Sequence, residues 1–529
     1  MMLRHSEDRK LPVGIQDFEK LRTNHFLYVD KTAYIYDLVH TGMPYFLSRP
    51  RRFGKSLFLS TLRAYWEGRR DLFEGLEIVR LEEGNPDAWQ PYPVFYFDFN
   101  RKNFQRETAL EEVLSAHLDE WEQIYGEPEK ANIPLEERFQ LLLQKAKART
   151  GKNCVVLVDE YDKPLLETME NHDLIEHNKA VFKGFFSTLK SYDGYLQFVF
   201  LTGVTKFSKV SIFSDLNHLT DISLTADYAG ICGITEAELR ENFAPEIKKL
   251  ADFQQMTETE CYESLARTYD GYHFYPNAEG VYNPYSVLVA LMRKDIGYFW
   301  FETGTPTFLV EMLKKTDFDP RQFTEGELYA GMEQLSDYRA DNMDPIPLFY
   351  QSGYLTIQGY ERRNRSCLLG YPNEEVKYGF VESLIPMFVE QKGGRSPLDI
   401  RSFEMDIERG DLDKLRDRFT ALFASLTYPT DSRPVEINFQ NVIYIVFTLL
   451  GQFVHSEVHS AKGRADCIVE TEEYIYIFEF KRDATAQEAL AQIEEKGYAT
   501  PYAADERQIY RIGVNFDSEK RELAGWEVR

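Results

Sequence analysis

The run Arg49-Pro50-Arg51-Arg52-Phe53-Gly54-Lys55-Ser56 constrains this chain more than any other feature, because of what flanks it. A short apolar segment, 44–48, precedes it. After it, Leu57, Phe58, Thr61, Leu62 and Tyr65 fall on one face of a helix spanning 55–65. At such a strand-to-helix turn, backbone N–H groups and a helix N-terminus can surround a phosphate. Gly54 would let the backbone approach the ligand, Lys55 would reach the β- and γ-phosphates, and the Ser56 hydroxyl would bind Mg²⁺. Arg49 stands where the GxxxxGK[ST] pattern has its first glycine, so the opening turn differs. Arg49, Arg51 and Arg52 either add charge against phosphate or face other partners. A Gly-Lys-Ser tripeptide alone is common, and the reading needs a second element.

Cys154-Val155-Val156-Leu157-Val158-Asp159-Glu160 supplies it, as a buried-strand pattern ending in adjacent carboxylates. Asp159 would hold Mg²⁺ through water, and Glu160 would orient an attacking water. A further strand, 198–201, ends at Thr202, a residue placed to sense the γ-phosphate or to make an ordinary strand-end turn. Asp98, ending an apolar run at 94–99, is a weaker candidate. Helical patterns at 107–125, 135–148 and 175–189 alternate with these strands. Such alternation predicts an α/β fold with a mostly parallel sheet covered on both faces.

Beyond residue 233 the texture changes. Amphipathic helices are expected at 236–253, 258–269 and 284–293, the last with proline in its first turn. They read as a helical lid or linker. The stretch 345–390 mixes short β runs (348–357) with turns, 398–426 is helical, and 429–434 is the linker candidate. The expected domains are therefore 1–233 (phosphate-loop domain), 234–345 (helical), 346–430 (mixed connection) and 431–529.

A chain of 529 residues, 43% hydrophobic, exceeds one core and folds as several domains. The longest apolar stretch, 442–450, falls short of the ~20 residues a membrane helix needs, and reads as a core helix. The five cysteines are scattered and form no CxxC pair, so neither a zinc site nor a disulfide framework is expected and a cytoplasmic setting fits. The net charge of −25 runs against a broadly basic nucleic-acid face, although a sum does not locate local patches.

The last hundred or so residues carry a second chemistry. Segments 457–466 and 474–481 read as successive strands joined by the acidic turn 470–473. On the second, Glu479 and Lys481 are two apart and project from one face of an otherwise apolar strand. Asp466, ending the preceding segment, can meet Glu479. Asp466 and Glu479 would hold one or two Mg²⁺ ions for phosphodiester hydrolysis, with Lys481 orienting water or stabilising negative charge. The tripeptide itself is unspecific: Glu246-Ile247-Lys248 and Glu494-Glu495-Lys496 also match, and a Glu–Lys pair capping a sheet is the structural alternative. In the helix expected at 484–496, Gln492 and Lys496 share a face that either contacts the site or is solvated.

These strings together resemble bacterial AAA-ATPase-like proteins with a C-terminal PD-(D/E)XK nuclease domain. The resemblance runs through Leu11-Pro12-Val13-Gly14-Ile15, Tyr28-Val29-Asp30-Lys31-Thr32, the arginine-rich loop, Val158-Asp159-Glu160-Tyr161-Asp162-Lys163-Pro164 and Thr202-Gly203-Val204-Thr205-Lys206. It continues through Tyr269-Asp270-Gly271-Tyr272, Gly463-Arg464-Ala465-Asp466 and Phe478-Glu479-Phe480-Lys481. It implies a P-loop NTPase core, a helical middle region and a restriction-endonuclease-like α/β domain. It makes the Arg-Pro-Arg-Arg-Phe loop a family trait and marks Glu436 as an additional nuclease-helix carboxylate. Ala465 stands where that family has proline. The implied function is ATP binding and hydrolysis controlling a Mg²⁺-dependent nuclease on DNA, in mobile-element processing or phage defence. ATP and DNA are the expected partners, and oligomerisation is compatible. The alternative is a nucleotide-dependent switch that binds DNA or protein without cutting.

Overall fold

The computed structural model describes residues 9–128, 133–207, 219–301, 309, 312–313, 320–323, 328–336, 344–388, 399–425, 435–452, 455–458, 466–520 and 522–529. Two compact units result: Met1–Trp300 with Tyr329–Asn373, and Phe301–Leu328 with Glu374–Arg529.

The first unit is built on five parallel strands: β1 (Tyr45–Ser48), β2 (Val94–Asp98), β3 (Cys154–Asp159), β4 (Leu196–Gly203) and β5 (Thr220–Asp221), in the order β2-β3-β4-β1-β5. Every residue of β3 is buried, which is why its sequence is an unbroken apolar run rather than an alternation. Helix α1 (Lys55–Trp66) packs on β2, β3 and β4. Helices α2 (Ala109–Tyr125), α3 (Leu135–Thr150) and α4 (His172–Phe186) form an aromatic-rich layer in which Phe97 meets Trp121, Phe139 and Phe185. Because all strands run the same way, the ends of β1, β3 and β4 open onto one edge of the sheet. That edge is where ligands of open α/β sheets bind.

Helices α5 (Glu236–Gln254), α6 (Glu258–Tyr269) and α7 (Pro284–Arg293) share one core around Leu239, Phe243, Leu250, Leu265, Tyr269 and Val287. Capping boxes at Thr235/Glu238 and Thr257/Glu260 start the first two, and Asn283 caps the third. A small antiparallel sheet, β6 (Tyr329–Gly331), β7 (Thr356–Glu361) and β8 (Ser366–Gly370), completes the unit. The β run expected at 348–357 is instead helix α8 (Ile346–Gln351) followed by the start of β7. A short apolar run does not separate helix from strand, and Pro345 and Pro347 at the helix start decide it here.

The second unit holds a mixed sheet of β9 (His455–Val458), β10 (Cys467–Glu470), β11 (Tyr474–Arg482), β12 (Gln508–Asp517) and β13 (Glu522–Val528), ordered β13-β12-β11-β10-β9. Its two faces follow the period of β11. Tyr476, Phe478 and Phe480 point to one side, among Phe419 of α10 (Leu412–Ala424), Phe447 of α11 (Val435–Leu450) and Ile407 of α9 (Ile400–Glu408). Ile475 and Ile477 point to the other, against Leu490 and Ile493 of α12 (Ala486–Glu495). Gly513 brings α12 close: a Cβ there would lie 2.2 Å from Ala486 O. Residues 459–465, including Gly463 to Ala465, and the linker 429–434 lie outside the described residues. Asp466 does not end a long strand beginning at 457. It stands directly before β10, which forms a hairpin with β11.

Candidate nucleotide and nuclease sites

The phosphate loop turns sharply. Arg52 and Gly54 both have positive φ (68° and 94°), and a Cβ at Gly54 would have open space around it, so backbone conformation is what glycine supplies there. Lys55 opens α1, is 6% exposed, and donates through Nζ to Arg49 O and Pro50 O, each at 2.9 Å. The lysine is therefore curled inside its own loop. Burial pulls its pKa down, and Glu160, Asp159 and Asp162 act against that fall.

Arg49 has a different task from phosphate contact. It is 1% exposed, and its guanidinium donates to Ser48 O, Ser223 O and Tyr228 O at 2.8–2.9 Å while lying 3.9 Å from the Phe274 ring centroid. Phe53, also buried, meets Tyr272 and Phe274 edge-on. Arginine and phenylalanine thus anchor the loop to the residues around Tyr272, which explains the Arg-Pro-Arg-Arg-Phe form physically. Three carbonyl acceptors and an aromatic face suit a planar fork and not a point charge. Arg49→Ala and Arg49→Lys should both lower stability, the first by about 3 kcal/mol, as read by chemical denaturation. Recovery of full stability by lysine would contradict this account. Arg52 is exposed, with its guanidinium 5.2 Å from the Tyr285 ring.

Asp159 ends β3, 3% exposed; Tyr96 Oη donates to its Oδ2 at 3.3 Å, and Oδ1 has no hydrogen-bond partner among the described residues. Burial pushes this carboxyl up to about 6, a rise that the Ser56 hydroxyl opposes. Glu160 follows with φ of 51°. Thr202 is fully buried on β4 opposite Leu47 of β1, and its Oγ1 has no partner among the described residues. Asp98 accepts from Asn100 N and serves its own turn. The sheet edge thus brings together the loop, Ser56, Asp159, Glu160 and Thr202. Two neighbours escaped sequence reading: Tyr161 and Asp162, both buried and both bonded to the end of β4.

In the second unit, the pairing of Cys467 with Phe478 sets Asp466 beside Glu479 on the adjacent strand. Asp466 Oδ2 accepts Phe480 N–H at 2.8 Å. Glu479 is 2% exposed; its Oε1 accepts from Lys481 Nζ at 3.0 Å and from Gln492 Nε2, while Oε2 has no partner among the described residues. Lys481 Nζ also donates to Gln492 Oε1 at 2.7 Å. Burial, then the Asp466 charge, pushes Glu479 up to about 7, and burial raises Asp466 as well. Gln492 thus bridges acid and lysine, with the Tyr498 hydroxyl 3.5 Å from its amide nitrogen. Lys496 is exposed at the C-cap of α12. Glu436 lies on α11, but its side chain is outside those described.

Among the described residues, Asp159 Oδ1 and Glu479 Oε2 are buried carboxylate oxygens without donors, the condition a bound cation relieves. Among the described residues no three His, Cys, Asp or Glu side chains cluster as a metal site. A cation at either position would complete its shell with water or substrate oxygens, as Mg²⁺ does.

A phosphate-loop α/β unit and a unit with paired carboxylates on a mixed sheet define the class: a nucleotide-binding module joined to a nuclease-superfamily domain. Residues 12–213 match the family of predicted AAA-ATPases, and residues 435–526 match the PD-(D/E)XK nuclease superfamily. An uncharacterized protein in the vnfD 5′ region of Azotobacter chroococcum mcd 1 is 35% identical over 538 residues, spanning 98% of this chain and 99% of that one. The chain belongs to this family of AAA-ATPase-like proteins with a C-terminal PD-(D/E)XK domain. Two solved structures are more distant. The Aeropyrum pernix ORC1 protein in complex with DNA is 10% identical, covering 66% of this chain and 91% of that one at a TM-score of 0.24. Cdc6p from Pyrobaculum aerophilum is 11% identical, covering 73% and 97% at 0.21. Among the described residues no helix is long and apolar enough to cross a membrane.

Proposed function

We propose that this protein is an ATP-hydrolysing module that controls a Mg²⁺-dependent nuclease acting on DNA. The observation that carries the nuclease half is Glu479, a buried carboxylate held beside Asp466 and bonded to Lys481, with one oxygen that has no partner among the described residues. Asp466 and Glu479 would hold Mg²⁺, which when bound polarises a phosphodiester and acidifies its water. Lys481, fixed by Glu479 and Gln492, stabilises negative charge on the phosphate as a water oxygen bonds to phosphorus and the strand oxygen departs with a proton. In the N-terminal unit, Lys55 binds the nucleotide phosphates, Ser56 and Asp159 hold Mg²⁺, and Glu160 orients water.

Control is supported by chain connectivity. The polypeptide leaves the first unit after Trp300, whose indole N–H donates to Arg51 O of the phosphate loop at 3.2 Å. A change in that loop on nucleotide binding therefore acts on the residue where the chain departs. The test is cleavage of supercoiled and linear DNA by the full chain with Mg²⁺, with and without ATP. Wild type should cut, ATP should alter the rate, and Asp466→Ala should be inert. Absence of cutting, or equal cutting by Asp466→Ala, would remove the nuclease reading and leave a nucleotide-dependent binding switch.

A further inference from the structure

The segment after β3 is tied to the end of β4 by two side chains to which the ATPase reading gives no task. Asp162, 1% exposed, accepts the N–H groups of Val204 at 2.9 Å and Thr205 at 2.6 Å through one oxygen, Oδ2. Tyr161 donates its own N–H to Thr202 O at 3.1 Å and its hydroxyl to Thr205 O at 2.8 Å, and it accepts Phe207 N–H at 3.0 Å. Its ring meets Phe46 of β1 edge-on at 5.6 Å.

An aspartate directly before a helical turn ordinarily caps it, worth about 1 kcal/mol. Asp162 is the N-cap residue of the turn Lys163–Leu166 and makes no such bond. Its carboxylate faces β4 instead, although burial there pushes it up to about 7. Gly203 leaves just enough room: a Cβ on it would lie 2.5 Å from Asp162 Oδ1 and 2.8 Å from the Tyr161 ring. Glu160, the residue before this pair, has φ of 51°. That left-handed conformation costs an ordinary residue about 1 kcal/mol or more and persists only where its surroundings enforce it. They do: Asp159 is paired in the sheet on one side, and residues 161–162 are pinned to 202–207 on the other.

We propose that Asp162 and Tyr161 are positioning residues for nucleotide hydrolysis, clamping β3 to β4 so that Glu160 keeps its left-handed conformation at a fixed place relative to Thr202. The inference rests on the ATPase reading. There, a water oxygen bonds to the γ-phosphorus, the bond to the β–γ bridging oxygen breaks, and the water's proton passes to Glu160 as ADP leaves.

The experiment measures steady-state ATP hydrolysis by the full chain, with ATP affinity determined separately by calorimetry. Asp162→Ala should lower kcat by about 30-fold or more, with affinity within a few-fold of wild type. Asp162→Asn, whose amide oxygen can replace Oδ2, should restore most of the rate. Gly203→Ala should reproduce the loss from the opposite side, and it carries the test if Asp162→Ala does not fold. A control separates the two readings. If wild type fails to hydrolyse ATP, or Glu160→Gln hydrolyses as wild type does, the ATPase reading has failed. If Glu160→Gln is inactive while both clamp variants keep wild-type kcat, the clamp is overturned. Equal loss of kcat and affinity without rescue by asparagine would also overturn it, since a purely structural role predicts that pattern.

Discussion

Glu479→Gln is expected to leave the fold intact and to reduce DNA cleavage by about a thousandfold, the equivalent of some 4 kcal/mol of lost transition-state stabilisation. The substitution keeps the shape of the side chain and its bond with Gln492, but removes the charge from a buried oxygen that has no hydrogen-bond partner among the described residues. The same change has a stability signature that does not depend on activity. Glu479 is held in the folded state at about 7, whereas an unfolded glutamate ionises near ~4.3. Below the unfolded value both states are protonated and the position costs nothing. As pH rises from there, the unfolded chain releases its proton first, so stability falls and the loss is complete above about 7. The full penalty is on the order of 3 kcal/mol. Metal-free wild type should therefore melt at a higher temperature at pH 5 than at pH 8, relative to Glu479→Gln, which removes this contribution. At pH 8, Mg²⁺ should raise the melting temperature of wild type and not that of the variant. A rise of equal size in both proteins would remove Glu479 from the metal site.

The carboxylate–lysine cluster is legible in the sequence because a strand has a regular side-chain period. In β11 that period fixes Glu479 and Lys481 to one face before any tertiary contact is known, and Ile475 and Ile477 share that face with them. The placement of Asp466 beside Glu479 follows as well, although Asp466 directly precedes a strand instead of ending one. The parallel sheet converged for a similar reason: buried strands ending in polar residues open onto the same edge. What escaped were loop and turn residues whose direction is set by partners far along the chain. Arg49 faces carbonyls of Ser223 and Tyr228, and no local pattern distinguishes that from a phosphate-facing arginine. Asp162 is harder still, since its position before a helical turn predicts a cap it does not make. Tyr498 lies beyond α12, and only the turn after that helix brings its hydroxyl to Gln492.

Lys55→Met should weaken ATP binding by about a hundredfold or more, the loss of a charge-assisted contact worth roughly 3 kcal/mol. Lys55 already satisfies two loop carbonyls, Arg49 O and Pro50 O, so phosphate must compete with the loop for the same ammonium. Binding energy measured for wild type is net of breaking those bonds. Methionine fills the buried channel without donating to either carbonyl, so part of the variant's loss should appear as reduced stability in the absence of nucleotide. Lys55→Arg should not restore affinity, because a planar fork cannot occupy the position of a buried point charge. The decisive comparison is with DNA cleavage. If the loop controls the nuclease through Arg51 and Trp300, Lys55→Met should cut DNA at a rate that no longer responds to ATP. A variant that binds ATP as tightly as wild type would remove Lys55 from the nucleotide site. One that fails to bind ATP, yet retains the full ATP response of cleavage, would place that control elsewhere in the chain.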